Sequence, residues 1–379
     1  MPDPNKINLL LLLISLLSFS AHAQERNGKF MDFETYNPVS TLVVPENHRY
    51  FSKYPFIDVH SHQWNLTKEG IARLVEEMDS LHMAVMVNLS GRGFDRENGD
   101  IGTQAYLAGM VRRTTGEAPG RFIIFTNVSF INVGKEGWSD EAVRQLKEDV
   151  ANGANGLKIY KSLGLSYTDV SGNRIAVDDP RLDPVWATCG ELGIPVLIHS
   201  ADPKPFWDPH DETNERWLEL KLRSGRKRSD TDPAPWEQII AEQHHVFQKF
   251  PQTTFINAHM GWMANDLDRL GKLLDQCPNV NVGIGAVIAE LGRQPKMARA
   301  FMEKYQDRIL FAKDAYNQEE YYTYFRVLET EDEYFPYYKK YHAFWRMYGL
   351  GLPDEVLKKL YYQNALRIIP NINQSFFPE

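Results

Sequence analysis

Two imidazoles one residue apart close the apolar run Phe56-Ile57-Asp58-Val59-His60-Ser61-His62. In a strand, side chains two positions apart project from the same face, so His60 and His62 can share one metal ion, with Asp58 one step deeper on that face. Two more apolar runs end in histidine: Ile194-Pro195-Val196-Leu197-Ile198-His199 and Thr254-Phe255-Ile256-Asn257-Ala258-His259. A fourth, Arg308-Ile309-Leu310-Phe311-Ala312-Lys313-Asp314, delivers a carboxylate. Neutral imidazoles and a carboxylate suit Zn²⁺ or a similar divalent ion, with a coordination position left for water. Such an ion lowers the pKa of its water from roughly 15.7 to roughly 7. A neighbouring carboxylate or imidazole must then accept and return the proton. Taken singly, each of these residues also reads as a helix cap or a satisfied core group. It is their recurrence at strand ends that makes a constellation.

Positioning them requires strands whose ends converge. Apolar runs of strand length recur at Phe56-His60, Ala84-Leu89, Phe122-Val128, Gly156-Tyr160, Pro195-His199, Thr254-Ala258, Val280-Ile284 and Ile309-Ala312. Between them lie amphipathic segments of helix length, clearest at Leu66-Leu81, Glu141-Ala151 and Asp183-Leu192. This alternation predicts an α/β fold, a (β/α)8 TIM-like barrel, in which residues far apart in sequence meet at one mouth. A doubly wound sheet is the alternative, but no Gly-rich phosphate loop follows any strand. Two segments exceed a plain barrel: Ala201 to about Glu242 after strand 5, and the Tyr- and Phe-dense stretch from Tyr316 to about Lys340 after strand 8. Both leave from strand C-terminal ends and are expected to be lids or substrate walls, or helices packed on the barrel. Trp207, Asp208 and His210 are placed at the mouth, and His244 and His245 on a helix as structural residues. Arg92, Arg293 and Lys158 at strand ends can pair with a substrate carboxylate.

The chain has 379 residues, 43% hydrophobic and 24% charged, enough for a large core. Its net charge of -8 and the lack of a basic face argue against nucleic acid as a partner. The cluster Arg223-Ser224-Gly225-Arg226-Lys227-Arg228 reads as a solvated loop. Two cysteines, Cys189 and Cys277, are too few for a disulfide framework and read as buried free thiols. Lys6, the apolar run Leu9 to Leu17 and Ala21-His22-Ala23 read as a secretory signal peptide over residues 1–23. The apolar core is shorter than a spanning helix needs, so the expectation is a periplasmic or secreted protein free of the membrane after cleavage. Residues 24–54 form a lead-in and 55–379 a single barrel domain.

The blocks Phe56 to His62, Phe250 to Gly261, Asp307 to Asp314 and Tyr362-Gln363-Asn364-Ala365-Leu366-Arg367 together resemble the amidohydrolase superfamily. Within it the chain is most similar to the branch that contains aminocarboxymuconate-semialdehyde decarboxylase. The resemblance spans about Phe56 to Ile369. It implies a distorted barrel with one divalent metal, Zn or alternatively Mn, held by His60, His62, His199 and Asp314. It further implies that His259 polarises the substrate or shuttles a proton, and that Asp314 acts as general base. Some relatives with two metals carry a carboxylated lysine at the place of Lys158. Dimers are common in this branch. The strand-8 motif usually reads Gly-Ser/Thr-Asp, whereas Ala312-Lys313-Asp314 stands here; Lys313 is expected to point away from the mouth.

Three functions fit this set. In hydrolysis, activated water attacks an amide, ester or lactone carbonyl of a small substrate, anionic or neutral, His259 stabilises the oxyanion and Asp314 takes the proton. In non-oxidative decarboxylation, the metal positions a small carboxylic acid as CO₂ leaves. The aromatic-acid decarboxylases of the branch often have Glu where His60 stands, which favours hydrolysis. A non-catalytic exported binding protein would not need all five site residues.

Overall fold

Each of the eight apolar runs forms a strand: β1 Phe56–Ser61, β2 Met83–Asn88, β3 Phe122–Ile124, β4 Leu157–Ile159, β5 Val196–Ile198, β6 Phe255–Asn257, β7 Val280–Gly283 and β8 Ile309–Leu310. Their residues are almost wholly buried, because one face fills the barrel and the other carries helices. A helix of nine or more residues follows each strand: α1 Lys68–Leu81, α2 Gln104–Glu117, α3 Trp138–Ala151, α4 Asp183–Glu191, α5 Trp236–Lys249, α6 Leu267–Gln276, α7 Pro295–Lys304 and α8 Gln318–Glu329. Local chemistry starts several of them. The side chains of Thr67, Thr103, Asp266 and Asn317 accept from the first turns of α1, α2, α6 and α8. Pro295 opens α7, where its missing N–H costs nothing.

This computed structural model describes residues 32–64, 66–95 and 100–378. They fall in two units, residues 32–43 and 44–378. In the first, a turn in which Thr35 N donates to Asp32 O (3.2 Å) leads into irregular chain. The signal peptide expected over residues 1–23 lies outside the described residues. In the second unit the lead-in is tied down before β1: Asn47 donates twice to Asp332 at 2.7 Å and Lys53 N to Glu329 at 2.8 Å. No helix among the described residues is long and apolar enough to cross a membrane.

The strands pair in parallel as β1-β2-β3 and β8-β7-β6-β5-β4. Two parallel bridges join these sets into a ring, Thr126 with Leu157 and Ser61 with Asp314. At the first seam Thr126 N donates to Gly156 O and Lys158 N to Thr126 O, both at 2.8 Å. At the second, Val59 N donates to Phe311 O (3.1 Å) and Asp314 N to His60 O (2.7 Å). Barrel closure therefore runs through three of the residues that the sequence singles out, Lys158, His60 and Asp314.

The first expected insertion is shorter than anticipated, and the second begins and ends further along the chain. Residues 236–242 belong to α5, whose apolar positions Trp236, Ile239, Ile240, Val246 and Phe247 are buried on one face. After strand 8, the aromatic run is largely the barrel's own eighth helix. Tyr321, Tyr324, Phe325 and Leu328 share one face of α8 and are buried against Phe311, with the Phe311 and Phe325 rings 6.1 Å apart. The excess chain is residues 330–353, a loop with a short antiparallel ribbon, Phe335–Pro336 with Arg346–Met347.

Candidate metal centre and the cavity above it

The β1–β8 seam places three donors together. One ligand atom from each of His60, His62 and Asp314 lies within 4.8 Å of the others. Asp314 Oδ1 is 3.4 Å from His60 Nε2 and 3.7 Å from His62 Nε2. Asp58, deeper on β1, is committed to the scaffold: it accepts from His60 N (3.0 Å), Lys313 N (3.1 Å) and Tyr321 Oη (2.6 Å). Burial pushes its carboxyl up to about 6 against the pull of these hydrogen bonds.

His199 and His259 form a second pair beside the first. His259 Nδ1 lies 2.7 Å from Gly285 O, and its Nε2 lies 3.2 Å from His199 Nδ1. A carbonyl only accepts, so His259 carries its proton on Nδ1 and presents a lone pair at Nε2. His199 must then donate from Nδ1, which leaves its own Nε2 unprotonated. That nitrogen is buried without a partner. A buried imidazole lone pair with nothing to accept from is what a metal ligand offers before its ion, so the donor chemistry of His199 fits the group. Its ring is not part of the tight three-residue group, and its contact is with His259.

Burial holds all four imidazoles neutral. It depresses His60 and His199 far below the ordinary imidazole range, with Lys158 and the facing histidines adding to it, and it takes His62 to about 4. His259 is lowered as well, chiefly by burial. Burial alone would raise Asp314, but His259, His62 and Lys158 together hold its carboxyl below the usual range. Neutral nitrogens around one carboxylate are the protonation states a divalent ion requires.

Backbone strain collects at this mouth. Among the described residues nine non-glycines have positive φ, and six of them follow β5 to β8: Ala201, His259, Met260, Trp262, Ala286 and Asp314. His259, Met260, Gly261 and Trp262 are consecutive left-handed residues. This turn stacks Trp262 on His259, with centroids 4.5 Å apart. Such conformations cost about 1–3 kcal/mol each and persist where surrounding structure imposes them, most often at functional sites.

A cavity of about 230 Å³ opens onto His199, His259 and Asp314. Six cations line it, Lys161, Arg216, Arg223, Arg226, Lys313 and Lys339, against the carboxylates of Asp202, Glu219 and Asp314. Three acids each take two cations. Asp202 takes Lys161 (2.6 Å) and Arg228 (3.0 Å), Glu320 takes Lys313 (2.5 Å) and Lys339 (2.7 Å), and Glu219 takes Arg216 (3.2 Å) and Arg226 (2.5 Å), with Arg216 shared by Glu290. The Asp202 and Glu320 clusters keep a net positive charge beside the cavity.

A family model described as Amidohydrolase matches residues 57–370, which include the whole barrel and every donor above. The chain belongs to the amidohydrolase family. No curated protein sequence matches it. Among solved structures it is similar to an uncharacterized TIM-barrel protein from Bordetella bronchiseptica (16% identity, TM-score 0.52, 83% of this chain and 97% of that one). It is also similar to 2,6-dihydroxybenzoate decarboxylase complexed with 2,6-dihydroxybenzoate (13%, 0.51, 83% and 99%). A third is dihydroxybenzoic acid decarboxylase from Polaromonas sp. JS666, with bound manganese and the inhibitor 2-nitroresorcinol (12%, 0.52, 83% and 96%). At such identities the likeness shows the fold.

In this amidohydrolase the structure redistributes the residues expected to bind substrate. Lys158 is buried at the end of β4, with Nζ 3.3 Å from His60 Nε2, and burial brings its ammonium down to about 7. It stands beside His60 and does not line the cavity. Arg92 does not reach the cavity: it is buried, bonded to Asp149 (3.1 Å) and to Gly102 O (3.0 Å). Arg293 is held outside by both oxygens of Glu215 and by the Trp345 ring. Trp207 spends its Nε1–H on Ala234 O (2.8 Å), and the half-buried His210 faces Trp217 O (3.1 Å). Lys313 was expected to point away, yet its buried ammonium stands in the cavity wall among Tyr321, Tyr324 and Tyr338. The residues that do line the cavity from the two long loops, Arg216, Arg226, Tyr338 and Lys339, lie in the segments expected to be lids or substrate walls but have no spacing signal of their own; the basic run at 223–228, read as a solvated loop, supplies Arg223 and Arg226 to the wall.

One consequence is readily checked. Arg293→Ala removes a partly exposed pair and is expected to change stability by about 1 kcal/mol or less. Turnover and KM should be those of the wild type; a raised KM would return Arg293 to the substrate site.

Proposed function

We propose that this chain is a metal-dependent hydrolase acting on an amide, ester or lactone bond of a small anionic substrate. The observation that carries the reading is the convergence of His60, His62 and Asp314 on one point, beneath a cation-lined cavity. His60 and His62 would hold the ion with Asp314, and His199 through its unpartnered Nε2. A divalent ion supplies Lewis-acid polarisation and a water acidic enough to ionise near neutral pH.

The remaining steps fall to the chain's own groups. Asp314, whose carboxyl is held below the usual range, is the base placed to take the proton of the attacking water. His259 cannot serve first as an oxyanion donor, because Gly285 O occupies its only N–H and its Nε2 accepts from His199 Nδ1; it would take a proton from the reaction only when the His199 bond gives way, and donate only afterwards. Lys313 and Lys339 on one side, and Lys161 on the other, would hold the substrate's anionic group and orient its carbonyl over the centre. The volume of about 230 Å³ suits a small metabolite.

Lys158 supports a second form of the same centre. A buried amine with a depressed pKa is the nucleophile that adds CO₂, giving a carbamate and a proton, and a carbamate beside His60 could bridge two ions. Metal content of about two ions per chain that depends on bicarbonate would favour this form over the single-metal one.

The test of the reaction is isotopic. Protein loaded with Zn²⁺ or Mn²⁺ is offered lactones, esters and amides that bear a carboxylate, in H₂¹⁸O. Label entering the product carboxyl is the expected result; CO₂ release without label uptake would replace hydrolysis by decarboxylation.

A further inference from the structure

His62 lies at the head of a short line of hydrogen bonds. Its Nδ1 is 2.8 Å from Ser90 Oγ, that oxygen is 3.2 Å from Tyr160 Oη, and Tyr160 Oη is 3.2 Å from Leu89 O. The last member decides the direction of all the others. Leu89 O can only accept, and it also accepts from Asn127 Nδ2 at 3.0 Å. Tyr160 has one proton. If it goes to Leu89 O, Ser90 must donate to Tyr160, and His62 must donate to Ser90. All three contacts are then satisfied. In the reverse direction Ser90 donates to His62, Tyr160 has one proton for two acceptors, and one contact becomes a meeting of lone pairs near 3.2 Å. In a buried site that costs about 1–3 kcal/mol.

We infer that Ser90 and Tyr160 are positioning residues: a relay anchored on Leu89 O fixes the proton of His62 on Nδ1 and turns the Nε2 lone pair toward Asp314. The ring plane is held at the same time. Tyr160 stacks on His62 at 5.7 Å and 28°, and Trp64 does so at 5.8 Å and 10°. An imidazole that can reach either tautomer presents N–H to an incoming cation part of the time, whereas a fixed one presents a lone pair always. The arrangement mirrors Gly285 O acting on His259 and, through it, on His199. Two backbone carbonyls on opposite sides of the mouth thus set the protonation pattern of three histidines. The tautomer stands on the hydrogen bonds alone; its effect on metal affinity rests on the metal-centre reading above.

The experiment separates the two. Metal-free protein labelled with ¹⁵N-histidine is examined by long-range ¹H–¹⁵N correlation, with His62→Gln assigning the His62 signals. Wild type is expected to show the Nδ1–H pattern. Ser90→Ala and Tyr160→Phe should move His62 toward a mixture of tautomers, while Ser90→Thr, which keeps the hydroxyl, should restore the wild-type pattern. Zn²⁺ affinity, measured by competition with a chromophoric chelator, should fall by about 10- to 100-fold in Ser90→Ala and recover in Ser90→Thr. An Nε2–H pattern in the wild type, or one unchanged in both Ser90→Ala and Tyr160→Phe, would overturn the relay. If the tautomers respond as expected but no variant or wild type binds Zn²⁺, the relay stands and the metal reading fails.

Discussion

Asp314→Asn is expected to weaken divalent-metal binding by about 100-fold or more and to abolish turnover, with the barrel intact. The substitution is chosen for the backbone. Asp314 has φ +85°, a region that Asn tolerates and most residues do not. Its N–H still donates to His60 O at the seam (2.7 Å), so closure survives. What disappears is the charge that His60 Nε2 and His62 Nε2 face at 3.4 and 3.7 Å. A neutral amide is a poor ligand for Zn²⁺ and cannot take a proton from water. Elemental analysis after gel filtration, alongside circular dichroism, provides the check; a fully metalled Asn variant would remove Asp314 from the centre.

Asp58→Ala should act on folding instead, destabilising by about 3–5 kcal/mol as the loss of a buried charge with its hydrogen bonds does. The carboxylate joins β1 to the start of the loop after β8 and to α8, through His60 N, Lys313 N and Tyr321 Oη. Removing it strands three buried donors and leaves a void beneath His60. Asp58→Asn keeps one oxygen acceptor and should lose about half as much. Urea unfolding of metal-free protein measures both without interference from the ion. An Ala variant as stable as wild type would mean that the seam closes without Asp58.

Most of the fold could be read from the chain because barrel strands are buried on both faces and therefore appear as uninterrupted apolar runs. The ends of those runs also carried the donors, so His60, His62, His199, His259 and Asp314 were found together. The residues misplaced by sequence reasoning share a cause. Arg92 is a strand-end arginine like any other until Asp149, on α3, comes into contact with it. Lys313 alternates with Asp314 along the strand and so should face outward, but the chain turns left-handed at Asp314, and Glu320 on α8 captures the lysine in the cavity wall. The His259-to-Trp262 turn had one visible clue, Gly261; the three neighbouring residues adopt positive φ without a compositional signature. Tyr338, Lys339 and Arg216 come from loops, where no period links position to side-chain direction.

A divalent ion at the meeting point of β1 and β8 is what the proposed chemistry requires. Crystals grown with Zn²⁺ or Mn²⁺ and measured on both sides of the metal's absorption edge test this directly. An anomalous peak bounded by His60 Nε2, His62 Nε2, Asp314 and His199 Nε2 is the predicted result. A map with no peak there, from protein saturated with either metal, would contradict it.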